Sequence, residues 1–264
     1  MHGVSKAAAA LLLLAAGSAQ AKIQTKAMTY EQGGTPLQGF LAWDDAAQGK
    51  RPGVVVVHEW WGHNQHARNQ AIRLAKAGYV AFALDMYGKG KVTTHPKDAQ
   101  AFMQEATKDP AQMKARFDAA VALLEEQPQV NPDEIGAVGY CFGGAVVMAM
   151  ARAGEDLKAV ATFHGAIAPH GPPPAPGTVK PRIFVATGAK DPMVTADQVK
   201  AFEDEMKAAG AKYEVVTYPN AKHGFTNPDA AKYGMEGIAY DAKADRASWK
   251  AAMKVFHEAM PTNG

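Results

Sequence analysis

The sequence predicts an α/β protein: a mostly parallel eight-stranded sheet with helices on both faces. Three observations lead there. Short apolar runs alternate with helical patterns along nearly the whole chain. Runs such as Val54-Val55-Val56-Val57 are continuously apolar rather than alternating, as strands buried on both faces must be. Glycines such as Gly78 and Gly210 stand just past helical stretches, where a left-handed residue ends a helix. No linker divides the pattern, so residues 22–264 are read as one domain.

Residues 25–30 and 37–43, separated by Gly33-Gly34, read as an entry hairpin. Strands follow at 54–58 and 79–84, with a helix at 65–77 between them. Two helices then meet at Asp109-Pro110, where the aspartate caps and the proline opens a helix running to about residue 127. Strands at 135–140, 157–163, 182–187 and 213–218 complete the sheet. Helices are expected at 144–153, 195–209 and 242–260.

The N-terminus reads as a leader. Lys6 supplies positive charge, residues 7–16 are unbroken apolar, and Ala19-Gln20-Ala21 fits the small-residue cleavage rule. That apolar run is far shorter than the ~20 residues needed to span a bilayer, so no membrane anchor is expected. Residues 1–21 are therefore read as a signal peptide and the destination as the periplasm or outside the cell. A net charge of +2 with no run of like charge gives no reason to expect nucleic acid as a partner. A single cysteine cannot pair within the chain, which excludes a disulfide scaffold.

That cysteine lies in Gly139-Tyr140-Cys141-Phe142-Gly143-Gly144, between a strand and a helix. Gly-x-Cys-x-Gly is the nucleophile-elbow pattern with sulfur in place of the usual hydroxyl. The glycines permit a turn too tight for side chains, so the central residue projects from the top of the sheet. Ser248 is the only serine after the leader and falls in a late helical pattern, leaving Cys141 as the candidate nucleophile. In such sheets ligands bind beyond the carboxyl ends of the strands. Two later strands end in Asp191 (Gly188-Ala189-Lys190-Asp191-Pro192) and His223 (Lys222-His223-Gly224-Phe225). The chain order nucleophile, acid, histidine is that of α/β-hydrolases. A thiol is only a few per cent ionised at neutral pH, so an imidazole must take its proton and a carboxylate must orient that imidazole. Backbone N–H groups of Phe142 and Trp60 are the expected oxyanion donors. Glu59, in His58-Glu59-Trp60-Trp61-Gly62, puts a carboxylate at a strand end near the thiol.

These motifs, together with Leu84-Asp85-Met86-Tyr87, resemble the dienelactone hydrolase family of α/β-hydrolases over nearly all of residues 24–260. In that family a glutamate at the Glu59 position contacts the resting thiol and helps activate it, and the resemblance implies the same role for Glu59. Members acting on dienelactone grip its carboxylate with two arginines. Here the first region reads Gly88-Lys89-Gly90-Lys91 and the second position is Asn227. Lysine offers a point charge without a bidentate fork, and Asn227 is uncharged, so dienelactone itself is not the expected substrate. Trp61, Tyr87, Lys89, Phe225 and Asn227 are the candidate substrate contacts.

The reading is thus a carboxylic ester or lactone hydrolase working through Cys141, His223 and Asp191, with Glu59 assisting. It is expected to act without metal or cofactor, as a monomer, on a small-molecule substrate. A thioesterase of the same fold and a non-catalytic ligand-binding relative are the alternatives. A metalloenzyme reading rests on His58, His63, His66 and His164 with Glu59, but the spacing is not His-Glu-x-x-His and His58 ends a strand rather than riding a helix.

Overall fold

A computed structural model describes residues 22–168 and 171–262; the leader reading at 1–21 lies outside the described residues. The sheet has eight strands in the order β1-β2-β4-β3-β5-β6-β7-β8. Strands β1 (Ile23–Gln32) and β2 (Thr35–Asp44) form the antiparallel hairpin, and β2 continues antiparallel onto β4 (Val80–Ala83). From β4 onward, β3 (Arg51–Val57), β5 (Val130–Tyr140), β6 (Ala159–Phe163), β7 (Arg182–Gly188) and β8 (Lys212–Tyr218) pair in parallel.

Helices α1 (Gln65–Lys76) and α6 (Ala242–Ala259) cover one face, placing Ala67, Ala71, Leu74, Val255 and Phe256 against it. Helices α2 (Pro96–Thr107), α3 (Pro110–Glu125), α4 (Phe142–Arg152) and α5 (Ala196–Ala208) belong to the other, with Ala106, Phe117, Val147 and Phe202 in its core. All of β3 is buried, and each of its four valines contributes about 1.5–3 kcal/mol of burial. The helix starts follow local chemistry. Asn64 and Asp109 accept backbone N–H bonds at the starts of α1 and α3, and Thr195 with Gln198 closes a capping box on α5.

Most element ends lie within two or three residues of the sequence reading, and three differences are larger or change the site. Strand β5 begins at Val130 rather than 135, because Val130 and Asn131 pair with Arg51 and Pro52 before the register shifts at Pro52/Gly53. Helix α4 begins at Phe142 rather than 144, straight from the elbow and with no side-chain cap. A short 3₁₀ turn, Ala230–Tyr233, interrupts the polar segment before α6.

Helix α4 is pinned at both ends. At its start the backbones nearly touch: a Cβ on Gly139 would lie 2.1 Å from the Gly143 carbonyl oxygen, and one on Gly143 would lie 2.2 Å from that of Val57. At its end Arg152 forms a fork with Glu205 of α5, Nε to Oε1 at 2.9 Å and a terminal nitrogen to Oε2 at 2.7 Å, and also donates to the Ile167 carbonyl.

The Gly139→Ala variant is expected to lose about 1–3 kcal/mol or more of stability, since the added methyl meets rigid backbone. Urea unfolding measures this; a midpoint equal to wild type would mean that the elbow relaxes freely.

Candidate active site

Cys141 stands between the end of β5 and the first residue of α4, with φ 52° and ψ −115°. A left-handed backbone at a non-glycine residue is strained and persists only where the surroundings enforce it. Here the enforcement is the glycine contact just described, together with a hydrogen bond from the Cys141 N–H to the Phe163 carbonyl at 3.1 Å. The side chain is left half-exposed at the N-terminus of α4, where the helix dipole favours negative charge.

Asp191 follows β7 in a turn closed by its N–H to the Gly188 carbonyl. One carboxylate oxygen accepts from the Met193 N–H at 2.8 Å, and the other lies 2.9 Å from His223 Nδ1. That pairing assigns the Nδ1 proton to the Asp191 side and turns Nε2 into the free nitrogen. His223 is anchored by its own backbone, which exchanges bonds with Gly237 and Ala239 and bridges to Ile238. The polar segment 226–247 thus returns to fix the histidine.

Burial alone would lower the His223 pKa. Charge on the Cys141 sulfur and the hydrogen bond donated to Asp191 outweigh it and hold the imidazole well above its ordinary value of 6.5. Among the described residues His223 Nε2 is buried and has no hydrogen-bond partner, and it lines the same cleft as Cys141. The N–H groups of Trp60 and Phe142 are likewise unengaged by any backbone or side-chain acceptor among the described residues.

Glu59 is buried, and its Oε2 accepts from Asn227 Nδ2 at 2.6 Å. His66 Nδ1 lies 3.5 Å from the same oxygen, too far for a strong bond. Among the described residues the carboxylate makes no hydrogen bond to Cys141; its Oε2 is held by Asn227. The nearby histidines are spent on structure. His58 donates from Nδ1 to the Glu59 carbonyl and accepts at Nε2 from the Met86 N–H at 3.1 Å. His164, itself left-handed at φ 41°, hydrogen-bonds Thr226 Oγ1 at 2.8 Å and packs its ring edge-on to His223 at 5.1 Å. Among the described residues, no three histidine, cysteine or acidic side chains converge as a metal site would require.

Cys141 and His223 open into a cleft of about 730 Å³, lined also by Trp60, Phe142, Met103, Met113, Ala145, Ala149, Met193 and Val194. Among the described residues no Lys, Arg, Asp or Glu lines it. The expected substrate contacts need correction, for none of the five is among the lining residues. Trp61 is buried and stacks on Tyr233 at 3.8 Å. Tyr87 is buried against His58 and Phe142, and Phe225 against His164 and Tyr218. Asn227 is buried and occupied by Glu59 and the Asp229 N–H. Lys89 is exposed, its N–H bonded to the Pro36 carbonyl. Sequence reasoning missed Met103, Met113, Ala145 and Ala149, whose only signal was a helical stripe. It also missed Thr226, whose position between Phe225 and Asn227 was the one hint of the polar cluster behind the histidine.

The dienelactone hydrolase family model matches residues 37–260. A putative carboxymethylenebutenolidase of Synechocystis sp. is 30% identical over 233 residues, covering 82% of this chain and 92% of its own. A second, from Aquifex aeolicus, is 29% identical and covers 86% and 95%. The crystal structure of a dienelactone hydrolase-like promiscuous phosphotriesterase from metagenomic libraries is 37% identical, with a TM-score of 0.86 over 90% of this chain and 99% of that one.

Three buried histidines set the acid response. Burial is the leading cause in each. His58 is lowered despite Asp85, His63 is pushed to about 3 with help from the His58 and Arg68 charges, and His164 is held well below 6.5 with help from His223 and His66. Below 6.5 the unfolded chain therefore binds protons that the folded chain refuses, so stability falls with falling pH. For His63 the loss continues to about 3. His223 is shifted the opposite way: its stabilisation is complete below 6.5 and is lost only as pH rises through its higher folded value. The urea midpoint should accordingly drop between about pH 6.5 and pH 5, before most carboxylates titrate. A flat midpoint across that window would mean that these imidazoles take up protons without unfolding.

Proposed function

We propose that this chain, which belongs to the dienelactone hydrolase family of α/β-hydrolases, cleaves uncharged carboxylic esters or lactones through a covalent acyl-cysteine. That it is a hydrolase follows from the family. The observation that carries the mechanism is His223 Nε2: buried, without a hydrogen-bond partner among the described residues, and lining the same apolar cleft as Cys141.

In the proposed reaction Nε2 holds the proton taken from the thiol, and the Cys141 sulfur attacks the substrate carbonyl carbon. The carbonyl oxygen becomes anionic and accepts the free N–H groups of Trp60 and Phe142, each donor contributing roughly 2.7–4 kcal/mol at the transition state. Asp191 keeps the Nδ1 proton in place and stabilises the imidazolium. Collapse breaks the bond to the alcohol oxygen, which leaves with the proton from Nε2. Water then attacks the acyl-cysteine, His223 taking its proton and returning it to sulfur as the carboxylic acid departs.

Neutral substrates are favoured because, among the described residues, no lysine or arginine lines the cleft to pair with a substrate carboxylate. Carrying a carboxylate into such a cleft costs its hydration without a charged partner to offset it. Glu59, held by Asn227, is assigned an electrostatic part in readying the thiol rather than a standing contact. The leader pattern supports periplasmic or secreted action of a mature chain beginning at Lys22.

Cys141→Ala should cut turnover at least about 10³-fold with the fold intact, as removal of one member of a concerted group does. Near-wild-type activity in that variant would overturn the mechanism. For the wild type, kcat/KM on neutral aryl esters should exceed that on dienelactone about tenfold or more, matching the loss of one charge-assisted bond; the reverse order would point to an unrecognised cation. Glu59→Gln should slow acylation in single-turnover experiments with little change in melting temperature, whereas an unchanged rate would leave Glu59 a purely structural partner of Asn227.

A further inference from the structure

We infer that the cleft is built to take an unbranched, uncharged acyl chain of about eight carbons, laid along α4 over Ala145 and Ala149. The inference rests on the hydrolase reading above and adds the shape of the substrate. Between Cys141 and Met150 only Cys141, Ala145 and Ala149 are not buried. At a spacing of four they lie in one row on one face of the helix. All three line the same cleft. The two alanines are the smallest side chains that keep a helix stable, so they form a floor without obstruction. Trp60, Met103 and Met113 stand among the walls, and Thr107 and Pro110, where α2 meets α3, complete the lining.

The second support is the unpartnered, buried His223 Nε2 that lines the same space. It must hand its proton to the departing oxygen, so the alcohol portion lies on the side of His223, Met193 and Val194. The row from Cys141 to Ala149 is left for the acyl portion. Eight helical positions span about 12 Å at 1.5 Å each. An extended chain advances roughly 3.3–3.6 Å per three bonds, so about 12 Å accepts about ten bonds, of which the first two, Cα–Cβ and Cβ–Sγ, belong to Cys141 itself. That admits an acyl group of about eight carbons and not a much longer one. Methionine walls, flexible and polarizable, suit a chain with no polar handle. The floor contains no feature that would hold a small rigid lactone in preference to such a chain.

The test uses p-nitrophenyl esters from acetate to dodecanoate with the mature protein, Ala145→Leu and Ala149→Leu. For the wild type, kcat/KM should rise from acetate to about octanoate by up to about fourfold per methylene, the factor for burying one CH2 group. It should fall beyond about ten carbons. Ala149→Leu should lower the octanoate-to-acetate ratio of kcat/KM at least tenfold and move the optimum to about four to six carbons. Ala145→Leu, nearer the sulfur, should move it further, to about two to four. Melting temperatures establish that the variants are folded, and Ala145→Val and Ala149→Val should reproduce the same order more mildly. A flat wild-type profile, or ratios unchanged in folded variants, would overturn the acyl groove while leaving the role of Cys141 standing. Ester turnover surviving in Cys141→Ala, or absent from the wild type altogether, would instead remove the hydrolytic mechanism on which the groove depends.

Discussion

Everything at the candidate site depends on how closely four stretches of backbone approach one another around Cys141. Gly139 faces the Gly143 carbonyl, Gly143 faces the carbonyls of Val57 and His58, and Gly144 faces Gly165 and the Thr162 hydroxyl, each at distances a Cβ could not tolerate. This contact bends β5 into α4 so sharply that Cys141 must take a left-handed backbone. The bend sets the direction of the sulfur, starts the helix at Phe142 and leaves the Phe142 N–H without an acceptor. One steric constraint thereby places the proposed nucleophile, a free donor beside it and the floor of the cleft.

The surroundings of the thiol divide into two unlike halves. Behind it lies a buried polar cluster in which Asp191 pairs with His223, Glu59 with Asn227, and Thr226 with His164 and His66. In front lies a cleft of methionine, alanine, valine and aromatic side chains. The polar half tunes the proton on His223, and the apolar half excludes water from the substrate, which strengthens every charge interaction inside. Asn227, on the polar side, holds the Glu59 carboxylate through its side-chain amide.

The parts of this arrangement that were legible in the sequence share a cause. Cys141, Asp191 and His223 each follow a strand, and the glycines at 139, 143 and 144 have no bland reason for their spacing, so position and chemistry coincided. The strands were legible because continuous valine runs suit only a doubly covered sheet. The lining of the cleft was not legible. Trp61, Tyr87 and Phe225 lie beside the catalytic motifs in sequence, and aromatic loop residues give no sign of which side they face; all three turn inward and pack. Met103 and Met113 come from helices far from any motif, and Ala145 and Ala149 differ from other helix residues only in being small. The early start of α4 escaped for a related reason: a helix entered through a steric bend needs no capping side chain to announce it.

Three thioethers, Met103, Met113 and Met193, share the lining of one cleft with the only thiol in the chain. Oxidants convert thioethers to sulfoxides, which are polar and chiral, and convert an ionised thiol to sulfenic acid and beyond. In this protein both lesions would fall in the same place, one on the wall of the cleft and one on the proposed nucleophile. The soft sulfur groups that suit the cleft to an apolar guest thus also open it to oxidants from two sides.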